Sequence, residues 1–225
     1  MNEELRVADD LFLIALDDRT GQHVVDARTL GYGLAGALLI ELLLNESVRL
    51  VEDHLRPADK LPEDAVTHRI FDLVKAEEAG RERHGLAAWL KFVEQTAIDD
   101  VYMRLRQQRL VRRTESRRLL GGSTVRYEPT SDVIAASIGW RPQRLAVMLG
   151  ARRYERGIKT AADAALAVLC HAIGLTQRVL KDADGPEPYA YLDEIHRELA
   201  RSFTSIYQVA AGVGELAGSA TFTNR

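Results

Sequence analysis

The sequence predicts a mainly α class: a single globular helical domain with a central apolar helix layer, amphipathic helices around it and a small β-hairpin. Three observations carry this expectation. The stretch LGYGLAGALLIELLL, Leu30–Leu44, is apolar on nearly every helical face, as a helix enclosed on all sides must be. Most other apolar residues recur at helical spacing, and few segments look β-compatible. No Pro-, Gly- or Ser-rich tract divides the 225 residues, so residues 1–225 are expected to form one domain.

Taken in order, the first helix is predicted over Glu3–Leu16, where Leu5, Ala8, Leu11, Phe12 and Ala15 share a face and DDRTG closes it with a turn. QHVVD is a short extended lead into the apolar run. That run has 15 residues. At about 1.5 Å per residue it reaches about 22 Å, short of the roughly 30 Å of a bilayer core. Asp26 and Arg28 precede it, Glu46 and Arg49 follow it, and Glu41 lies inside it. It reads as a core helix and not as a membrane span. Within it Gly31, Gly33 and Gly36 spell G-x-G-x-x-G, but no strand–helix–strand unit frames them. They are expected to permit close helix crossings. Glu41 is expected to be a buried carboxylate satisfied by backbone amides or by an arginine.

Beyond the apolar run, SVRLVED alternates as a strand and RPADKLPED reads as a loop. Asp64 can cap a helix whose stripe is Val66, Ile70, Leu73 and Val74. A helix holding Leu86, Trp89, Leu90 and Val93 is followed by another from about Glu94 to Gln108. RLVRRTESRRLLGGSTVRYEPTS carries turn signals at TES and GGS between β-compatible runs and predicts the hairpin. ADAALAVLCHAIGLTQRVLKD is a second central helix, with His171 read as a satisfied core histidine. Pro186 and Pro188 precede a long amphipathic helix carrying Leu192, Ile195, Leu199, Phe203, Ile206, Ala210 and Val213. The tail from about residue 217, LAGSATFTNR, has little to hold it and is expected to be disordered.

Few residues suggest catalysis. One cysteine, Cys170, forbids an internal disulfide and a Cys-rich metal site, and the six histidines lack ligand spacing. No phosphate-binding P-loop, nucleophile elbow or H-E-x-x-H occurs. The pairs Asp9–Asp10, Asp17–Asp18 and Asp99–Asp100 lack a third acid one turn on, so they read as caps and solvated faces. A non-enzymatic protein without cofactor or metal is expected. MNEELRVADD is acidic and polar, unlike a secretory signal, and the expected compartment is the cytoplasm.

Arginine is the exception. The net charge is −3, yet cations crowd between Arg104 and Arg156. Arg104, Arg106, Arg109, Arg112, Arg113, Arg117 and Arg118 come first, and Arg106, Arg109, Arg113 and Arg117 would share a face if a helix continued that far. Arg141, Arg144, Arg152, Arg153, Arg156 and Lys159 follow, with Trp140 before them and Tyr154 among them. Guanidinium groups favour phosphate, by bidentate hydrogen bonding as well as charge. The phosphate could belong to lipid or to nucleic acid. In the second case Arg104–Arg118 and the hairpin would act as a winged-helix-like binder. Against that reading, the chain is net negative and the basic helix offers few base-reading residues beyond Gln107 and Gln108.

VADDLFLIALDDRTG followed by GYGLAGALLIELLL and a short strand resembles the N-terminal part of the Golgi phosphoprotein 3 family, in its bacterial branch. The matching motif residues are Gly33, Leu34, Gly36, Ile40, Glu41 and Leu42, and the likeness runs on through the arginine-rich segment to ALAVLCHAIGL. The resemblance implies a helical single domain without enzyme activity that associates peripherally with membranes. Eukaryotic relatives bind phosphatidylinositol 4-phosphate and act as adaptors for membrane proteins. It implies Arg141 and Arg144 as lipid head-group residues, and Arg152, Arg153, Tyr154, Arg156 and Lys159 as membrane-surface contacts. The implied partners are an anionic phospholipid surface, a membrane-protein client and a second copy of the chain. One motif position departs: Ala35 stands where those relatives carry a basic residue, and the upstream tryptophan is absent.

Overall fold

A computed structural model describes residues 6–17, 19–80, 83–117, 123–131, 161–180 and 187–223. Helices dominate it: α1 (Val7–Ile14), α2 (Ala27–Leu44), α3 (Ala65–Glu78), α4 (Leu86–Gln107), α5 (Ala161–Ala172), α6 (Thr176–Val179), α7 (Glu187–Ser202) and α8 (Thr204–Thr223). Two antiparallel hairpins accompany them, β1 (Val48–Val51) with β2 (His54–Pro57), and β3 (Val111–Arg117) with β4 (Ser123–Pro129).

The apolar run forms the axis of this arrangement. Asp26 caps α2 by accepting the Thr29 N–H, and every residue from Thr29 to Leu42 is buried. Helices α1, α3, α4, α5 and α8 pack around it. Its length and apolarity alone would let it cross a membrane, but it is mostly enclosed by the protein itself. The glycines are where neighbours come closest. A Cβ on Gly36 would lie 2.4 Å from a Val213 methyl of α8, one on Gly33 would lie 3.0 Å from Ile173, and one on Gly31 would meet Glu94 of α4 at 2.9 Å. The G-x-G-x-x-G spacing thus serves three helix contacts.

Three helices end in the same way. After α2, α4 and α5 the chain turns left-handed at Glu46 (φ 58°), Arg109 (φ 58°) and Gly174 (φ 79°). In each case paired bonds close the turn: Glu46 N–H to Leu43 O with Ser47 N–H to Leu42 O, Arg109 to Arg106 with Leu110 to Leu105, and Gly174 to His171 with Leu175 to Cys170. Glycine suits that conformation, whereas a residue with a Cβ loses about 1 kcal/mol or more there. Glu46 and Arg109 carry that cost.

Several boundaries differ from the sequence reading. The first helix starts at Val7 and ends at Ile14. RPADKLPED is not all loop, because Arg56 and Pro57 belong to β2, reached through a two-residue turn with Glu52 and Asp53 both left-handed. Leu73 is 39% exposed and lies off the buried face of α3, which is Thr67, Ile70, Phe71 and Val74. The two helices read on either side of Glu94 are one continuous helix, α4. TES is within β3 and is not a turn. The second central helix breaks at Gly174, and the long C-terminal helix breaks at Phe203. Helix α8 then runs to Thr223 with Ala217 buried, through the segment expected to be disordered.

An aromatic cluster docks the β3–β4 hairpin on α1 and α4. Tyr127 of β4 meets Phe12, His23 and Tyr102 at centroid distances of 5.1, 4.9 and 5.4 Å. Gly21, left-handed at φ 66°, accepts the Tyr127 N–H, and a Cβ there would lie 2.8 Å from the Tyr127 carbonyl. Burial pushes the His23 imidazole down from its ordinary 6.5 to about 4.

Two consequences are measurable. Gly36→Ala is expected to destabilise by about 1–3 kcal/mol through overpacking against Val213. Gly218→Ala, on the exposed side of α8 with no described residue within 4 Å of its Cβ position, is expected to gain up to about 1 kcal/mol; urea unfolding of both checks the contrast. For His23, the unfolded chain takes up a proton near pH 6.5 and the folded one only near pH 4. Stability contributed by the neutral ring is therefore lost as pH falls through that window, and His23→Phe is expected to flatten the loss in thermal melts between pH 7 and pH 4.

Candidate functional site

The arginine-rich segment divides at Gln107. Before it, Arg104 points from α4 into the core and is 5% exposed. Its Nη1 donates to Glu41 Oε2 at 2.8 Å and its Nη2 to Glu41 Oε1 at 3.1 Å, while Nε donates to Asp9 Oδ1 at 2.8 Å. A longer contact, 3.3 Å, reaches Asp64 Oδ1 at the start of α3. Glu41 Oε1 also accepts the Ala8 N–H at 2.8 Å. Arg6 extends the chain of charges, donating to Asp64 Oδ2 at 2.8 Å. The expectation for Glu41, a buried carboxylate held by a backbone amide or an arginine, is met by both together.

Burial pushes the Asp9 and Glu41 carboxyls above the ordinary range, and the Arg104 guanidinium pulls against it. Burial likewise opposes the Arg104 charge, but Glu41, Asp9 and Asp64 outweigh it and raise its pKa. Asp64, less enclosed, is held below the ordinary range despite its burial by hydrogen bonds from Thr67 and by Arg104 and Arg6. Guanidinium groups engage Asp9 Oδ1 and both oxygens of Glu41 and of Asp64, whereas buried Asp9 Oδ2 has no hydrogen-bond partner among the described residues; these bonds tie four helices together.

After Gln107 no helix continues, and the proposed face of Arg106, Arg109, Arg113 and Arg117 does not form. Arg109 occupies the left-handed turn that ends α4, and Arg112, Arg113 and Arg117 lie on β3. That removes the groove-reading helix of the winged-helix alternative. Arg113, exposed on the strand face that carries Tyr127, donates its side chain to Asp99 at 3.2 Å and its N–H to the Tyr102 hydroxyl. Arg112 faces outward, 67% exposed, and pairs with Glu128 at 2.9 Å. Arg106, Arg109 and Arg126 are exposed and make no ion pair among the described residues.

The other residues singled out have structural employment. Asp17 accepts from Thr20 in the turn after α1, Asp99 pairs with Arg113, and Asp100 pairs with Arg69. His171 is exposed and is not a core histidine; its Nδ1 lies 3.0 Å from the Thr176 hydroxyl, and its ring meets His196 edge-on at 5.2 Å. Ala35 is fully buried. Arg141, Arg144, Arg152, Arg153, Tyr154, Arg156 and Lys159 lie outside the described residues.

Residues 7–218 match the family model described as Golgi phosphoprotein 3 (GPP34). The chain belongs to the Golgi phosphoprotein 3 family. No curated protein matches it. In this member of the Golgi phosphoprotein 3 family, the Gly-Leu-x-Gly and Ile-Glu-Leu residues both serve packing: Gly33 and Gly36 make room for neighbouring side chains, and Glu41 receives Arg104.

Removing Arg104 would strand two enclosed carboxylates. Arg104→Met is expected to cost about 3–5 kcal/mol, and Asp9→Asn with Glu41→Gln in the same background is expected to recover part of it. With the arginine gone, both acids would titrate above their unfolded values. Stability should then be greatest in acid and fall as pH rises from about 4 toward 7. Denaturant unfolding at pH 5 and pH 7 reads that sign.

Proposed function

We propose that the protein is a non-enzymatic, cytoplasmic protein that docks peripherally on membranes through anionic phospholipid head groups. The observation that carries this reading is the Golgi phosphoprotein 3 family match across residues 7–218. Arg141 and Arg144 are the head-group residues of this reading. Arg152, Arg153, Tyr154, Arg156 and Lys159 are its surface contacts, and an adaptor role toward a membrane-protein client goes with it.

Charge density of the bilayer, more than head-group identity, sets the affinity in this proposal. Ala35 supplies no cation where the relatives carry one, and its burial leaves no donor facing a ligand. Each arginine near an acidic surface adds about 1 kcal/mol within a Debye length, so four or five suffice for reversible binding.

Co-sedimentation with vesicles at about 0.15 M salt, where screening acts over about 8 Å, tests this. Vesicles of phosphatidylglycerol, cardiolipin or phosphatidylinositol 4-phosphate at matched surface charge are expected to bind alike, and neutral vesicles are not. Arg141→Glu with Arg144→Glu is expected to weaken binding at least about tenfold. A marked preference for phosphatidylinositol 4-phosphate would replace the charge-density account with a selective pocket. Absence of binding to every acidic vesicle would overturn the membrane reading.

A further inference from the structure

We infer that the Arg104 junction is a proton-binding site: at neutral pH Asp9 stands in the folded protein as the neutral carboxylic acid, with its proton on Oδ2. The inference concerns the meeting point of α1, α2, α3 and α4 and is independent of the membrane reading.

Charge counting comes first. The Asp9 side chain is 0% exposed and that of Glu41 7%, and both face one guanidinium, Arg104, itself 6% exposed. Asp64 and Arg6, nearer the surface, pair with each other at 2.8 Å. With both inner acids ionised, the enclosed group would carry a net negative charge away from solvent. Two carboxylates sharing one buried site do not both ionise in the ordinary range, and one proton stays with the pair. Burial acts on both acids in that direction, and the Asp9 charge adds to it at Glu41.

Hydrogen bonding decides which acid keeps the proton. Glu41 accepts three donors over its two oxygens, Arg104 Nη1, Arg104 Nη2 and the Ala8 N–H. Each of those bonds favours the carboxylate form. Asp9 accepts Arg104 Nε at Oδ1, whereas buried Oδ2 has no hydrogen-bond partner among the described residues. An ionised carboxylate with a bare oxygen is costly out of water, and such a group neutralises instead. A proton on Asp9 Oδ2 removes the uncompensated charge and leaves the Arg104–Glu41 pair intact.

The charged groups around Asp9 fit this assignment. Arg104 and Arg6 draw its proton off, and burial opposes them with the larger effect. Helix α5, which also packs against α1, carries Asp163 near its start and exposed His171 near its end. Between them lies the apolar run Ala164–Leu169, followed by the Cys170 thiol, which burial pushes up to about 12 and keeps neutral.

The consequence is a four-helix junction that responds to pH. An acid whose folded pKa lies above its unfolded 3.8 stabilises the fold most in acid, and that contribution is lost as pH rises from about 4 to the folded pKa. Asparagine has the shape of the neutral acid and cannot ionise. The advantage of Asp9→Asn over the unmodified chain in melting temperature is therefore expected to grow by about 5–10 °C between pH 4 and pH 7. Glu41→Gln, which removes the ionised partner of Arg104, is expected to melt lower than the unmodified chain at pH 7.

An advantage that stays constant or shrinks with pH would mean that Asp9 ionises in the fold as readily as in the unfolded chain, and would overturn the inference. A loss in Asp9→Asn with a gain in Glu41→Gln would overturn it in favour of a proton on Glu41. Carbon-13 carboxyl shifts of the unmodified chain read the same point without any variant. The Asp9 signal is expected at its protonated position at pH 7 and that of Glu41 at its ionised position; an ionised Asp9 signal at pH 7 would overturn the assignment.

Discussion

One buried guanidinium holds four helices in register. Arg104 leaves α4 and meets Glu41 of α2, Asp9 of α1 and the cap residue of α3, Asp64. Such a cluster adds little net stability over well-packed apolar residues, because desolvating its charges consumes most of the Coulomb gain. Its contribution is positional. Helix α2 is apolar around its whole circumference and by hydrophobic contact alone could rotate or slide among its neighbours. Glu41 has a single acceptable place beside Arg104, and that place also sets where Gly31, Gly33 and Gly36 receive the surrounding helices.

The same requirement divides the described arginines between the core and the surface. Arg104 is spent in the core, Arg113 and Arg69 pair across to the acids of α4, and Arg178 donates to the carbonyls of Ile14, the last residue of α1, and of Leu16 beyond it. Arg106, Arg109, Arg112 and Arg126 remain on the surface at one end of α4 and along its hairpin. A cluster that looks continuous in the sequence is therefore two populations in space. The left-handed turn at Arg109 converts a helix face into a strand face, and both populations occur on each side of it.

Much of the fold was legible because its signals are local. Asp64 announces its helix, the all-round apolar run Leu30–Leu44 announces an enclosed one, and the β-compatible runs on either side of GGS become β3 and β4. Glu41 inside an apolar run also announced a buried partner. Which arginine would supply it was not legible, because Arg104 lies 63 residues away and nothing near it distinguishes it from Arg106. The missed boundaries share a cause. Glu52, Asp53 and Arg109 adopt left-handed backbone that their side chains do not advertise, and the break at Phe203 has neither glycine nor proline to mark it. Of the candidate site, the head-group arginines rest on resemblance to the family, and which hairpin arginines face outward emerged only from strand register.

Arginine-selective dicarbonyl labelling of the full chain, read peptide by peptide with and without acidic vesicles, tests this division most directly. Arg104, buried and bonded to Glu41 and Asp9, is expected to stay unreactive in both conditions. Arg106, Arg109 and Arg126, exposed and without an ion pair among the described residues, are expected to react in solution, and Arg141 and Arg144 are expected to become shielded on vesicles. Labelling of Arg104 in the folded protein, or reactivity of Arg141 and Arg144 that vesicles leave unchanged, would contradict it.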